Sequence, residues 1–313
     1  MRSLGRPLAA ICLALGATAC ERTPVIWSGD PAPLGGTFTD ASVLALRGVP
    51  DDVRVVPHAV ALPERGLPVL PRGSCLISLR WARASLGASS GASSSAPSGA
   101  RSGELAAAWW AARADSSVVL YLARSIDDGA HWDSTRAADT RDPGVRGCAR
   151  PAPAVATDPL GGYTHLVYFL EPASGAGVFY EHLMDLPVAP TAHAPATGIT
   201  ATGIAMFHAP VAIVYGERPG PASVTGHGDT VVVAYQDPNR AAPQVALAVS
   251  VTGGHTFAPR VPASGDNVEA RDPAIGIDGS TVAVAWRESA IRSDGASDTA
   301  AAARAVVRVG RFR

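Results

Sequence analysis

The stretch Ser125-Ile126-Asp127-Asp128-Gly129-Ala130-His131-Trp132 decides how this chain reads. It follows the run Val118-Val119-Leu120-Tyr121-Leu122-Ala123-Arg124, whose β-branched and aromatic residues suit a pleated, buried surface. The chain then has to reverse. Ser125 and Asp127 can hydrogen-bond local backbone N–H groups, Gly129 tolerates positive φ, and Trp132 can fold back into the core. The octet predicts a strand, a tight turn and an aromatic anchor.

The spacing recurs. Ser250-Val251-Thr252-Gly253-Gly254-His255-Thr256-Phe257 keeps the serine, glycine and aromatic, with Thr252 in place of the aspartate, and follows the strand-like run Val245 to Val249. Starts at 125 and 250 leave room for one repeat between them. There the strand Val178-Phe179-Tyr180 runs into Glu181-His182-Leu183-Met184-Asp185, and the octet has decayed.

Ser-x-Asp-x-Gly-x-x-Trp resembles the Asp-box of bacterial neuraminidase repeats, found in sialidases and related β-propellers. The resemblance makes Ser125, Asp127, Gly129, Trp132, Ser250, Gly254 and Phe257 structural residues of C–D turns, with Trp132 and Phe257 as packing anchors.

Aligned on their first strands, four units emerge. The first comprises Cys75 to Arg83, Glu104 to Trp110 and Val118 to Trp132. The second opens at Arg150-Pro151 and continues through Tyr163 to Leu170 and Gly177 to Asp185. The third opens at Arg218-Pro219, followed by Asp229 to Tyr235 and Gln244 to Phe257. The fourth opens at Arg271-Asp272-Pro273, followed by Ser280 to Trp286 and Arg304 to Gly310. It stops after its third strand, and an outer strand from the N-terminal region would close the ring and hide open edges.

Such repeats predict an all-β chain, a β-propeller of sialidase-like type. Openings at 150, 218 and 271 imply roughly five blades, within a range of 4–6, each a four-stranded antiparallel sheet. The competing architecture is a tandem of two immunoglobulin-like sandwiches.

Antiparallel alternation sorts residues by face. One face collects Arg150, Arg218 and Arg271 near the starts of first strands, and Glu171, Asp237 and Glu288 near the ends of second strands. Three converging arginines can hold a carboxylate bidentately. In sialidases three arginines do this for sialic acid, beside a Tyr/Glu pair and an Asp acid, and the resemblance offers Tyr215, Glu217 and Asp237 as catalytic candidates. The other reading is structural, with each arginine paired to Glu171, Asp237 or Glu288 and tying blades together. The Phe/Tyr-Arg-Ile-Pro motif of active sialidases is missing, and Pro71-Arg72-Gly73 is its nearest approach.

Residues 1–20 read as an export signal. Arg2 and Arg6 precede a short apolar run from Leu8 to Leu15, and Ala17-Thr18-Ala19 leads to Cys20. A cysteine there resembles a lipobox, making Cys20 the lipid-modified residue of a membrane-anchored envelope lipoprotein; cleavage by ordinary signal peptidase, giving a secreted or periplasmic protein, is the alternative. Residues 21–313 form one domain, with strands at 42–46 and 53–56 and mobile loops near 85–103, 187–203 and 293–303.

Loss of Arg2 and Arg6 with the leader takes the net charge from −1 to −3, which offers no footprint for nucleic acid. In an exported protein Cys75 and Cys148 are a plausible disulfide, or else two separate buried thiols. His58, His165, His182, His193, His208, His227 and His255 show no metal-ligand spacing, so neither metal nor cofactor is expected. The expectation is a monomeric binding propeller, joined to a membrane only by its lipid anchor. Its partner is a glycan, a small acidic ligand or a protein. An exo-acting sialidase-like glycosidase and a structural envelope scaffold are the alternatives.

Overall fold

A computed structural model describes residues 23–34, 67–83, 104–127, 129–144, 146–158, 162–186, 204–291 and 303–313. The leader, the expected strands at 42–46 and 53–56, and the three expected loops (residue 303 apart) lie outside the described residues.

Strands β1 (Val25–Trp27) and β2 (Ala32–Pro33) come first. A 3-10 turn, Leu76–Ser78, leads into a sheet of β3 (Arg80–Arg83), β4 (Leu105–Ala112), β5 (Val118–Ser125) and β6 (Arg136–Asp142). The second sheet comprises β7 (Ala154–Asp158), β8 (Tyr163–Leu170) and β9 (Gly177–Leu186), its outer edge completed by β10 (Ile204–Phe207) and β11 (Val211–Tyr215). The third runs β12 (Ala222–His227), β13 (Thr230–Gln236), β14 (Val245–Ser250) and β15 (Val261–Pro262). The fourth has β16 (Val268–Asp278), β17 (Thr281–Ala290) and β18 (Arg304–Phe312), and its outer position is filled by β1. Val25 lies opposite Phe312 and Trp27 opposite Gly310, while β2 pairs with Val306 and Val307. The borrowed outer strand thus comes from the N-terminal region.

The second strand of each sheet carries an apolar run of at least five residues, such as Leu166 to Leu170 in β8 and Val282 to Trp286 in β17, because both of its faces are buried there. In β8, Leu166, Tyr168 and Leu170 face the first sheet, packing with Trp110, Leu120 and Leu122. Val167 and Phe169 face the third, packing with Val224, Val233 and Tyr235. The two-residue period of a strand supplies both contacts at once. On the far side of the third sheet, Val232, Leu247 and Val249 meet Val282, Val284 and Trp286 of the fourth. Each such side chain, fully buried, contributes about 1.5–3 kcal/mol.

The first strands form the inner ring: β3 packs on β7, β7 on β12 and β12 on β16. No comparable packing joins β16 to β3 among the described residues. There the two end sheets keep separate clusters, Trp81 with Trp109 on one and Ala274 with Val307 on the other. Successive antiparallel sheets with their first strands innermost make the chain a β-propeller. Four sheets are described, and a five-bladed ring is consistent with them.

The two octets form turns of one design. Ser125 Oγ accepts from Gly129 N at 2.9 Å, and Ser250 Oγ accepts from Gly254 N at 2.9 Å. Asp127 Oδ1 accepts from His131 N at 2.8 Å; in the second turn the Thr252 hydroxyl takes over, accepting from Thr256 N at 3.1 Å. Gly129 and Gly254 have φ of 84° and 91°, in the left-handed region. Trp132 packs on Trp81 at 5.6 Å, and Phe257 on Tyr180 of the neighbouring sheet at 5.0 Å. The unit between them has no such turn because β9 runs on to Leu186, long enough to pair with both β10 and β11. Cys75 and Cys148 are joined by a disulfide, Cα–Cα 5.5 Å, which ties the start of the first sheet to the segment entering the second.

Candidate functional site

The turns after the second strands and the connections into the next sheet share one face. There Gly175, Ala176, Tyr215, Gly216, Glu217, Arg218, Pro238 and Asn239 line a cleft of about 550 Å³. Tyr215 ends β11 as a residue 55% exposed, its ring edge-on to Phe179 at 6.1 Å. The glycines admit it. A Cβ at Gly177 would stand 2.3 Å from Val214 O, and one at Gly216 would stand 2.7 Å from Pro238 Cγ. Asn239 Nδ2 donates to Tyr215 O at 2.6 Å, tying the lips of the cleft together. Arg218 Nη1 donates to the carbonyls of Arg240 (3.0 Å) and Ala241 (2.7 Å), which leaves its remaining N–H groups for another acceptor.

The sequence placed Arg150, Arg218 and Arg271 as equivalents, but the strands do not. Strands β7 and β12 begin four residues after Arg150 and Arg218, whereas Arg271 lies inside β16, beside a register shift. Arg150 is sealed. Its side chain has no exposed surface, Nη1 is paired with Asp142 Oδ2, Nε donates to Gly147 O at 3.1 Å, and the guanidinium stacks 5.0 Å from the Trp110 ring. Arg271 pairs with Glu269 at 3.1 Å.

The expected acid partners turn to other arginines. Glu171 takes Arg146 at 2.8 Å, Asp237 takes Arg260, and Glu288 takes Arg304 at 2.6 Å. The three arginines thus form no common anion site: Arg150 and Arg271 are paired with acids of their own neighbourhood, and only Arg218 lines the cleft. Asp237 also accepts from Asn239 N at 2.9 Å and is buried, so of the three catalytic candidates only Tyr215 and Glu217 line the cleft. Asp142, invisible as a partner in sequence, is the acceptor around which the joint between the first two sheets is built: it also takes Gly144 N at 2.6 Å and Glu171 N at 3.0 Å.

A second polar cluster is closed within the sheets. Tyr168 Oη lies 2.8 Å from Glu181 Oε2 and 3.0 Å from Asp139 Oδ2, and Asp139 is paired with Arg141 at 2.7 Å. Burial, and then Asp139, push the Glu181 carboxyl up to about 8. Tyr168 has one proton to donate, and a protonated Glu181 supplies the other.

At the opposite end of the strands three histidines that show no metal-ligand spacing in the sequence meet in space. His182 lies on β9, His208 between β10 and β11, and His255 in the second octet turn; one nitrogen or other ligand atom from each lies within 4.8 Å of the others. Their rings are 4.4, 5.1 and 5.0 Å apart, centre to centre. His182 Nδ1 faces Tyr180 Oη at 3.3 Å, and Tyr180 Oη in turn faces His165 Nδ1 at 2.7 Å. Burial, and then the other imidazoles, hold His182 down to about 4. Burial and then His182 hold His165 down to about 3. Helix-type spacing could not reveal this cluster. His208 N donates to His182 O at 3.0 Å, and only strand pairing makes them neighbours.

No protein-family model matches the sequence, and no curated protein matches it. Solved structures do. A Hadza microbial sialidase matches with TM-score 0.35 and 16% identity over 59% of this chain, which spans 40% of the sialidase's length. A thermostable family-43 glycoside hydrolase matches with TM-score 0.32 and 13% identity, covering 68% of this chain and 69% of its own. The packing of the four sheets, rather than those scores, makes this chain a β-propeller.

Proposed function

We propose that this is an exported binding propeller, anchored through Cys20, whose cleft takes a glycan with an acidic or strongly hydrogen-bonding ring. The observation that carries the reading is the half-exposed Tyr215 beside Glu217 and Arg218 in one cleft of about 550 Å³. That size falls in the ~300–1,000 Å³ range of small-ligand sites. An aromatic face offers apolar contact to a sugar ring, and Arg218 and Glu217 offer donors and acceptors to its hydroxyl and carboxyl groups.

Hydrolysis is the weaker reading. A glycosidase needs a second group free to protonate the leaving oxygen, and Asp237 is buried under Arg260. The test is a glycan array probed with the full chain, followed by calorimetry of any hit with Tyr215→Ala and Arg218→Ala. Binding weakened at least ~10-fold in both supports the cleft, about 1.4 kcal/mol apiece. Binding that ignores both substitutions sinks it. Release of a fluorescent aglycone from a sialoside would overturn the non-enzymatic reading.

A further inference from the structure

We propose that His182, His208 and His255 form a binding site for a divalent transition-metal ion of the Zn²⁺ or Cu²⁺ kind. It is independent of the cleft, at the other end of the strands.

Each imidazole has one nitrogen engaged and one left over. His255 Nδ1 donates to Thr252 O at 2.6 Å, leaving Nε2 with a lone pair. His208 Nε2 is 3.0 Å from Met184 Sδ, leaving Nδ1. His182 Nδ1 faces Tyr180 Oη, and its Nε2 is buried with no hydrogen-bond partner among the described residues. A buried unpaired nitrogen in a residue 2% exposed is costly unless something fills its lone pair. A metal ion does so, and an N–H anchored to a carbonyl or hydroxyl is the usual support of a metal-bound histidine.

Tyr180 Oη has one proton, and when it goes to His165 Nδ1 (2.7 Å) or to Gly253 O (3.4 Å) the hydroxyl accepts from His182 Nδ1–H. The bare atom of His182 is then Nε2. Three zinc–nitrogen bonds of about 2.0–2.1 Å place tetrahedral ligands about 3.3 Å apart. Ligand atoms already within 4.8 Å need a closure of an ångström or so, which the exposed His255 and half-buried His208 can supply by rotating their side chains. Imidazoles suit zinc and copper over magnesium and calcium. The Met184 thioether beside His208 gives copper one further soft neighbour.

The test uses the full chain without a polyhistidine tag. Zn²⁺ and Cu²⁺ are titrated in turn against a chromophoric chelator, and Co²⁺ is added to read the visible absorption of tetrahedral nitrogen coordination. One equivalent should bind, with affinity falling at least ~100-fold in both His208→Ala and His255→Ala, beyond the ~10–100-fold typical of losing a supporting group. Tyr180→Phe should fall in that smaller range. His131→Ala, in the other octet, should bind as wild type. Unchanged urea midpoints of the metal-free variants exclude misfolding. Failure of both Zn²⁺ and Cu²⁺ to bind stoichiometrically, or undiminished binding in either His208→Ala or His255→Ala, overturns the site.

Discussion

Asp142 closes on Arg150 across the joint between the first and second sheets, and neither side chain has any exposed surface. Breaking such a buried pair leaves one charge without a partner. Arg150→Ala should lower unfolding free energy by about 3–5 kcal/mol, read from urea denaturation. Arg150→Met with Asp142→Leu should recover only part, because Gly144 N and Glu171 N also lose their acceptor. Full recovery would show that those amides need no partner.

The Cys75–Cys148 bridge closes a loop of sequence separation 73. Chain-entropy reasoning gives it about 4 kcal/mol. Cys75→Ala with Cys148→Ala should therefore unfold at markedly lower urea, and reduction of the wild type should reproduce that shift. An unchanged midpoint would mean that the bridge adds nothing to the packing of Trp110 and Leu120 around it.

Glu181 should give stability an unusual pH dependence. Burial pushes its folded carboxyl up to about 8, from an ordinary 4.5, so between those limits the native chain holds a proton that the unfolded chain has released. Stability then falls as pH rises through that window. Glu181→Gln keeps a donor for Tyr168 and should flatten the slope and be the more stable protein above pH 8. Melting temperatures measured from pH 4.5 to 8.5 decide it, and a slope unchanged in the variant refutes the assignment.

Gly310 is where β18 meets the borrowed strand. A Cβ there would stand 2.7 Å from Val25 Cγ1 and 2.9 Å from Ile26 O. Gly310→Ala should cost about 1–3 kcal/mol, the usual penalty of overpacking. Limited proteolysis after Trp27 should show the N-terminal strand released first, and equal resistance in both proteins would refute this.

The sheets were legible because strand period and turn chemistry are local. The run Val118 to Leu122 and the serine–glycine spacing after it need no distant partner to be read, and even the missing outer strand followed from an unpaired edge. The sites were not legible in the same way. Arg150 and Arg271 both stand near the opening of a unit, yet β7 begins after Arg150 and β16 before Arg271, which sends one inward and leaves the other on a strand surface. His182, His208 and His255 become neighbours only through the pairing of β9 with its outer strands and the packing of Phe257 on Tyr180. Asp139 and Asp142 belong to β6, whose residues alternate too weakly in hydropathy to single out buried acids.

The outer position of the fourth sheet has a consequence in time. Residues 25–27 are made early, and the residues they pair with, 310–312, are made late. At about 5–20 residues per second, roughly a quarter of a minute to a minute of synthesis separates them. Through that interval the early strand has hydrogen-bonding groups and no partner in the fourth sheet, and a chain interrupted between β17 and β18 leaves β1 nothing there to pair with.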